Sequence, residues 1–136
     1  MIKEIFPGDF KSLERISKLV IREAEKVGFN PEEVYNIQIS VDEAVSNIID
    51  HAYGLDVLGY IEIWVERLHD GIRISILDDG EPFDPATIPD PVLDKPLEER
   101  RERGLGLYIM RKLMDEVEYD FSNPFQNKLT LIKYCS

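Results

Sequence analysis

Apolar positions change their spacing several times along the chain, and each change marks an element. Residues Ile2 to Phe6 predict a short strand, which Pro7-Gly8 ends. From about Asp9 to Val27, the residues Leu13, Ile16, Val20, Ala24 and Val27 recur at three- and four-residue steps, the period of an amphipathic helix. Gly28 stands in the usual place just past a helix end. A second helix has a clearer start. Asn30 can cap it, Pro31 fits its first turn and Glu33 completes a capping-box pattern. Its apolar stripe, Val34, Ile37, Val41, Ala44, Val45, Ile48 and Ala52, carries it to about Ala52, before Gly54.

Then the period becomes two. Ile61, Ile63 and Val65 alternate with Tyr60, Glu62, Trp64 and Glu66, and Ile72, Ile74 and Ile76 alternate with Arg73, Ser75 and Leu77. With the turn signal His69-Asp70-Gly71 between them, the two runs predict a β-hairpin. Residues 80–103 differ in kind. Five of the chain's eight prolines fall there, followed by the charged run Glu98 to Arg103. So long an irregular segment suggests a functional loop or lid, placed at about 81–103, with a short helix over part of 94–101. Gly104-Leu105-Gly106 closes it. A helix from about Leu107 to Asp115 and strands near 117–122 and 128–134, joined through Asn123-Pro124, complete the chain.

The order β-α-α-β-β-loop-α-β-β, with consecutive hairpins, predicts an α/β two-layer sandwich. Its sheet would be mixed and largely antiparallel, with about three helices on one face. A chain of 136 residues fits a single domain spanning 1–136. An apolar fraction of 43% is enough for a packed core. The one cysteine, Cys135, cannot form an internal disulfide. No apolar run reaches the ~20 residues of a membrane span, and the N-terminus has no signal-peptide pattern. These features lead us to expect a cytoplasmic protein. A net charge of −11 argues against general nucleic-acid binding. It leaves nucleotide binding open, because Mg²⁺ and backbone N–H groups can hold a triphosphate locally. The acidic surface serves solubility or attracts a basic protein.

Three short elements carry chemistry. On the second helix, Glu43 and Asn47 lie one turn apart on a face nearly opposite the apolar stripe, with His51 one further turn along. Glu43 can take a proton, and Asn47 can offer an oxygen to a hard cation. Asp78-Asp79-Gly80 directly follows the second hairpin strand. It holds a carboxylate where an adenine amino group could donate to it, beside a glycine that permits close approach. Two glycines at a helix start, Gly104 and Gly106, leave backbone N–H groups open to phosphate. Arg100, Arg101 and Arg103 stand just before them. The dinucleotide-binding fingerprint is absent, because no strand leads into the glycines and a third glycine is missing. The Walker-type loop is absent too, because no Lys-Ser or Lys-Thr follows. Taken singly, each element has an ordinary explanation as a solvated helix face, an Asp-Gly turn or a glycine-rich start.

In sequence order they read E-x-x-x-N on a helix, a hairpin, D-x-G, a long loop and G-x-G. In this the chain resembles the GHKL ATPase superfamily, with its Bergerat nucleotide-binding fold, and most closely the small anti-sigma-factor serine/threonine kinases. The stretches Val41 to Tyr53, Asp78 to Pro85 and Arg103 to Val117 carry the likeness. The resemblance implies ATP and Mg²⁺, with Asn47 on the metal, Asp78 on adenine, Gly104 and Gly106 around the phosphates and Glu43 as general base. It implies further nucleotide contacts from Asp50, His51, Gly80, Phe83, Arg103, Leu105, Leu107 and Thr130. No firm phosphate-binding lysine matches, and Lys95 and Lys128 are the candidates. By the same resemblance the protein partners are a sigma factor, which is sequestered, and a STAS-fold antagonist, which is phosphorylated. A homodimer through the sheet and first-helix region is implied too. The other readings are a non-catalytic ATP-binding module and a detached histidine-kinase-type ATPase domain. The latter ranks lower because only His51 and His69 are present and neither lies on an added helix.

Overall fold

The computed structural model describes residues 1–50, 59–80 and 102–135, side chains of 102–105 excepted. The elements follow the expected order: β1 (Ile2–Pro7), α1 (Lys11–Val27), α2 (Pro31–Ile48), β2 (Tyr60–Leu68), β3 (Gly71–Asp78), α3 (Glu102–Leu113), β4 (Glu116–Asp120) and β5 (Asn127–Tyr134). The strands form one sheet in the order β1-β2-β3-β5-β4. Each pairing is antiparallel, so the parallel pairs that a mixed sheet would contain are absent from the described strands.

Strand alternation sends one set of side chains to the helices. Phe6, Ile61, Ile63, Val65, Ile72, Ile74, Ile76, Leu129 and Leu131 join Ile16 and Val20 of α1, Ile37, Val41 and Val45 of α2, and Leu107 and Met110 of α3 in one core. Burying each such side chain stabilises the fold by about 1.5–3 kcal/mol. Partners across the hairpin, such as Ile63 with Ile76, share that face. Glu62, Trp64, Arg73 and Ser75 alternate to the other face.

Local signals explain the helix ends. Asn30 accepts from the Glu33 backbone N–H at 2.8 Å, and Glu33 accepts in return from the Asn30 N–H at 3.0 Å. Gly28 closes α1 at φ 104°, and its N–H reaches the carbonyls of Ala24 and Glu25. The regular part of α2 ends at Ile48, and the helix widens into a π turn at residues 49–50. Its expected continuation to Ala52 lies outside the described residues. Among the described residues, no helix is long and apolar enough to cross a membrane.

The largest departure from expectation is α3, which starts at Glu102 rather than Leu107. This five-residue difference exceeds the usual uncertainty at a helix end. The glycines therefore lie inside the helix and not before it. Packing of α3 on α2 overrides their weak helix propensity.

Candidate active site

On the second helix, burial extends beyond the apolar stripe to Ser40 and Asn47, next to Ala44. The side holding Glu43 and Asn47 is thus covered by α3, not left in solvent opposite the stripe as its polarity suggested. Gly106 makes this fit possible. A Cβ there would stand 3.0 Å from Asn47 Nδ2 and 3.0 Å from Glu43 Oε2. Asn47 is only 5% exposed, with its amide turned to Gly106 of α3.

At the end of β3, Asp78 is 5% exposed. Burial raises its pKa above the ordinary carboxylate value. Hydrogen bonds from Asn127 and the Gly80 backbone oppose that rise, and neighbouring Asp79 adds to it. Both hydrogen bonds fall on the same oxygen: Gly80 N donates to Oδ1 at 2.9 Å and Asn127 Nδ2 donates to Oδ1 at 3.0 Å. Oδ2 accepts nothing from the described residues. Asn127 also donates to the Gly80 carbonyl at 2.9 Å, which ties the D-x-G turn to β5. Sequence reading missed Asn127. Its signal is the register, since Asp78 and Asn127 are Cα partners in the β3–β5 ladder.

That register also corrects Thr130. It pairs with Ser75, an odd number of residues from Asp78, so strand alternation puts it on the opposite face of the sheet. Lys128 shares that outer face, its amine 5.0 Å from the Trp64 ring centroid, and so does not serve a phosphate beside Asp78. Leu107 is 3% exposed and belongs to the core, which leaves only its backbone for a ligand. Arg103, Gly104 and Leu105 lie in the described part of α3, which runs from Glu102. Gly106 contributes its missing side chain at the contact with α2. Asp50 is exposed in the π turn. His51, Phe83, Lys95, Arg100, Arg101 and the lid expected at 81–103, up to residue 101, fall outside the described residues.

Asp42, beside Glu43, adds a carboxylate that the pattern did not single out. Its pKa is pushed up to about 6, first by burial and then by the Glu43 charge, with a Ser17 hydrogen bond pulling the other way. Among the described residues its Oδ1 is buried without a partner. A folded-state pKa above the unfolded value means that Asp42 contributes stability below its ordinary value of 3.8, and that this is lost as pH rises through about 6. Asp42→Asn should therefore stabilise the fold above that pH by about 1–2 kcal/mol. This figure is discounted because the group is only half-buried. Urea unfolding at pH 4 and pH 7.5 checks it: the gain should appear only at the higher pH.

Comparisons with known proteins bear on the family and the fold. The family model described as histidine kinase-like ATPase domain matches residues 6–133. Serine-protein kinase RsbW of Oceanobacillus iheyensis is 33% identical over 117 residues, covering 83% of this chain and 73% of that protein. Serine-protein kinase RsbW of Bacillus mycoides is 35% identical over 99 residues, 70% of this chain and 61% of its own length. Among solved structures, the RsbU and RsbW domains of Rv1364c from Mycobacterium tuberculosis superpose with a TM-score of 0.63 at 14% identity, over 98% of this chain and 32% of that one. The catalytic domain of histidine kinase ThkA gives 0.57 at 19% identity, over 96% of this chain and 97% of that one. At such identities the structural likeness speaks for the fold alone.

Proposed function

Because the chain belongs to the histidine kinase-like ATPase domain family, we propose that it is an ATP-dependent protein-serine/threonine kinase of the anti-sigma-factor type. The observation that carries this reading is the close approach of Gly106 to Glu43 and Asn47, which sets a carboxylate beside a buried amide where α3 packs on α2. The names of the relatives, serine-protein kinases, support the reaction class.

In this reading Asp78 Oδ2 accepts from the adenine amino group while Oδ1 stays locked by Gly80 and Asn127. The first-turn N–H groups of α3, Gly104 among them, receive phosphate oxygens. The residues fit a magnesium ion in one respect: Mg²⁺ takes few protein ligands when it also binds phosphates, and Asn47 offers one oxygen. When bound, the ion would neutralise charge on the phosphates. Glu43 takes the proton from a serine or threonine hydroxyl as that oxygen bonds to the terminal phosphorus and the bond to the β-phosphate oxygen breaks. The acceptor is a STAS-fold antagonist and the sequestered partner a sigma factor. Both follow from the likeness to the anti-sigma kinases.

Gly106→Ala probes the site directly. Alanine improves helix propensity by about 1 kcal/mol, and the atoms its methyl would crowd are the ends of flexible side chains. Thermal stability should therefore change by less than about 1 kcal/mol. ATP affinity should fall about tenfold, because the displaced atoms belong to the site. The reaction itself is tested by incubating the chain with γ-labelled ATP and candidate STAS-fold proteins. Label on a serine or threonine is expected. No transfer in any pairing, with ATP binding intact, would remove the kinase reading in favour of a binding module.

A further inference from the structure

The turn between β4 and β5 carries Phe125, which is 85% exposed, more than any other large apolar side chain among the described residues. One exposed apolar residue is ordinary on a protein surface. Three features set this one apart.

The turn is held in one shape. Phe125 N donates to Asn123 Oδ1 at 2.9 Å, and Ser122 N donates to Asp120 Oδ1 at 2.9 Å. Gln126 N donates to the Asn123 carbonyl at 3.3 Å, and Pro124 fixes its own φ just before Phe125. At its base, Phe121 stacks on Tyr119 with centroids 5.8 Å apart, and Tyr119 packs against the core. A group already held in place loses little further freedom on binding.

The turn is also uncharged. Phe121 to Asn127 read Phe-Ser-Asn-Pro-Phe-Gln-Asn in a chain of which 32% is charged. Centres of protein interfaces are depleted in charge and enriched in aromatic rings. Finally, the turn is tied to the nucleotide site. Asn127, two residues after Phe125, donates to Asp78 Oδ1 at 3.0 Å and to the Gly80 carbonyl at 2.9 Å.

We propose that the β4–β5 turn is a docking knob for the protein that accepts the phosphate, with the Phe125 ring entering a shallow apolar pocket on that protein. The inference rests on the kinase reading above. The link through Asn127 selects this occupant, because only a partner that must meet the nucleotide needs a seat fixed relative to it. A second copy of the chain needs no such relation. A nucleic acid or an anionic membrane would be repelled by a chain of net charge −11. A standard protein interface covers about 800 Å² of each partner, wide enough to take in the turn and the mouth of the site beside it.

The test uses the full chain and a STAS-fold protein that takes label in the transfer assay. Phe125→Ala should raise KM for that protein about tenfold or more and leave kcat within about twofold of the parent's. Phe125→Tyr keeps the ring and should stay within about threefold on both. ATP affinity and thermal stability should be unchanged in both variants, since the side chain lies in solvent. Tyr35→Ala removes another exposed ring, 59% exposed at the start of α2, and should leave KM unchanged. An unchanged KM in Phe125→Ala, or an equal rise in Tyr35→Ala, would overturn the docking knob while the kinase reading stands. A change in sedimentation with intact transfer kinetics would assign the turn to a second copy and overturn it too. Absence of transfer by the parent chain would remove both.

Discussion

Replacing Glu43 with glutamine is expected to slow phosphoryl transfer by about 10²–10⁴-fold, while ATP affinity stays within about threefold of the parent's. The substitution keeps the side chain's shape against Gly106, where a Cβ would already be only 3.0 Å from Glu43 Oε2. Packing of α2 on α3 is therefore preserved, and the change removes only the capacity to take a proton. Single-turnover transfer to a STAS-fold acceptor, set beside nucleotide titration, separates the two effects. Loss of binding together with transfer would mean that Glu43 holds the nucleotide instead of acting on the acceptor. Unchanged transfer would leave the site without its base.

Asp78→Asn should weaken ATP binding by about 100-fold, roughly 3 kcal/mol. The reason lies in which oxygen is already engaged. Gly80 N and Asn127 Nδ2 both donate to Oδ1, so the single oxygen of an asparagine must take that position. Its NH₂ group then replaces Oδ2 and presents a donor to the adenine amino group, itself a donor. The same swap should narrow the preference for ATP over GTP, because guanine carries an acceptor at that edge. Without ligand the variant should be no less stable at pH 7. The folded pKa of Asp78 is raised by burial, so the ionised carboxylate disfavours the folded state once pH rises through that value. Calorimetric titration with both nucleotides and thermal unfolding without them check the two halves.

What the sequence disclosed divides along a physical line. The start of α2 was legible because Asn30, Pro31 and Glu33 act within one turn. The hairpin was legible because Ile61 to Ile76 alternate strictly around a two-residue turn. The start of α3 was not. The charged run and two glycines disfavour a helix locally, and the contact with α2 that stabilises it is tertiary. Burial of Asn47 was hidden for the same reason, since the apolar stripe marks only part of the side of α2 that is covered. Asn127 and Thr130 were confused because register decides between them. A strand expected to begin at 128 left out the residue paired with Asp78. The three motifs themselves were found, because each is a short run whose residue types could be named without knowing what covers them.

Isothermal titration of the full chain with ATP, with and without Mg²⁺, and with GTP tests the central claim most directly. The site described predicts one ATP per chain, weaker binding when the metal is removed, and GTP binding at least about 100-fold weaker than ATP. No heat with ATP, or GTP bound as tightly as ATP, would contradict it.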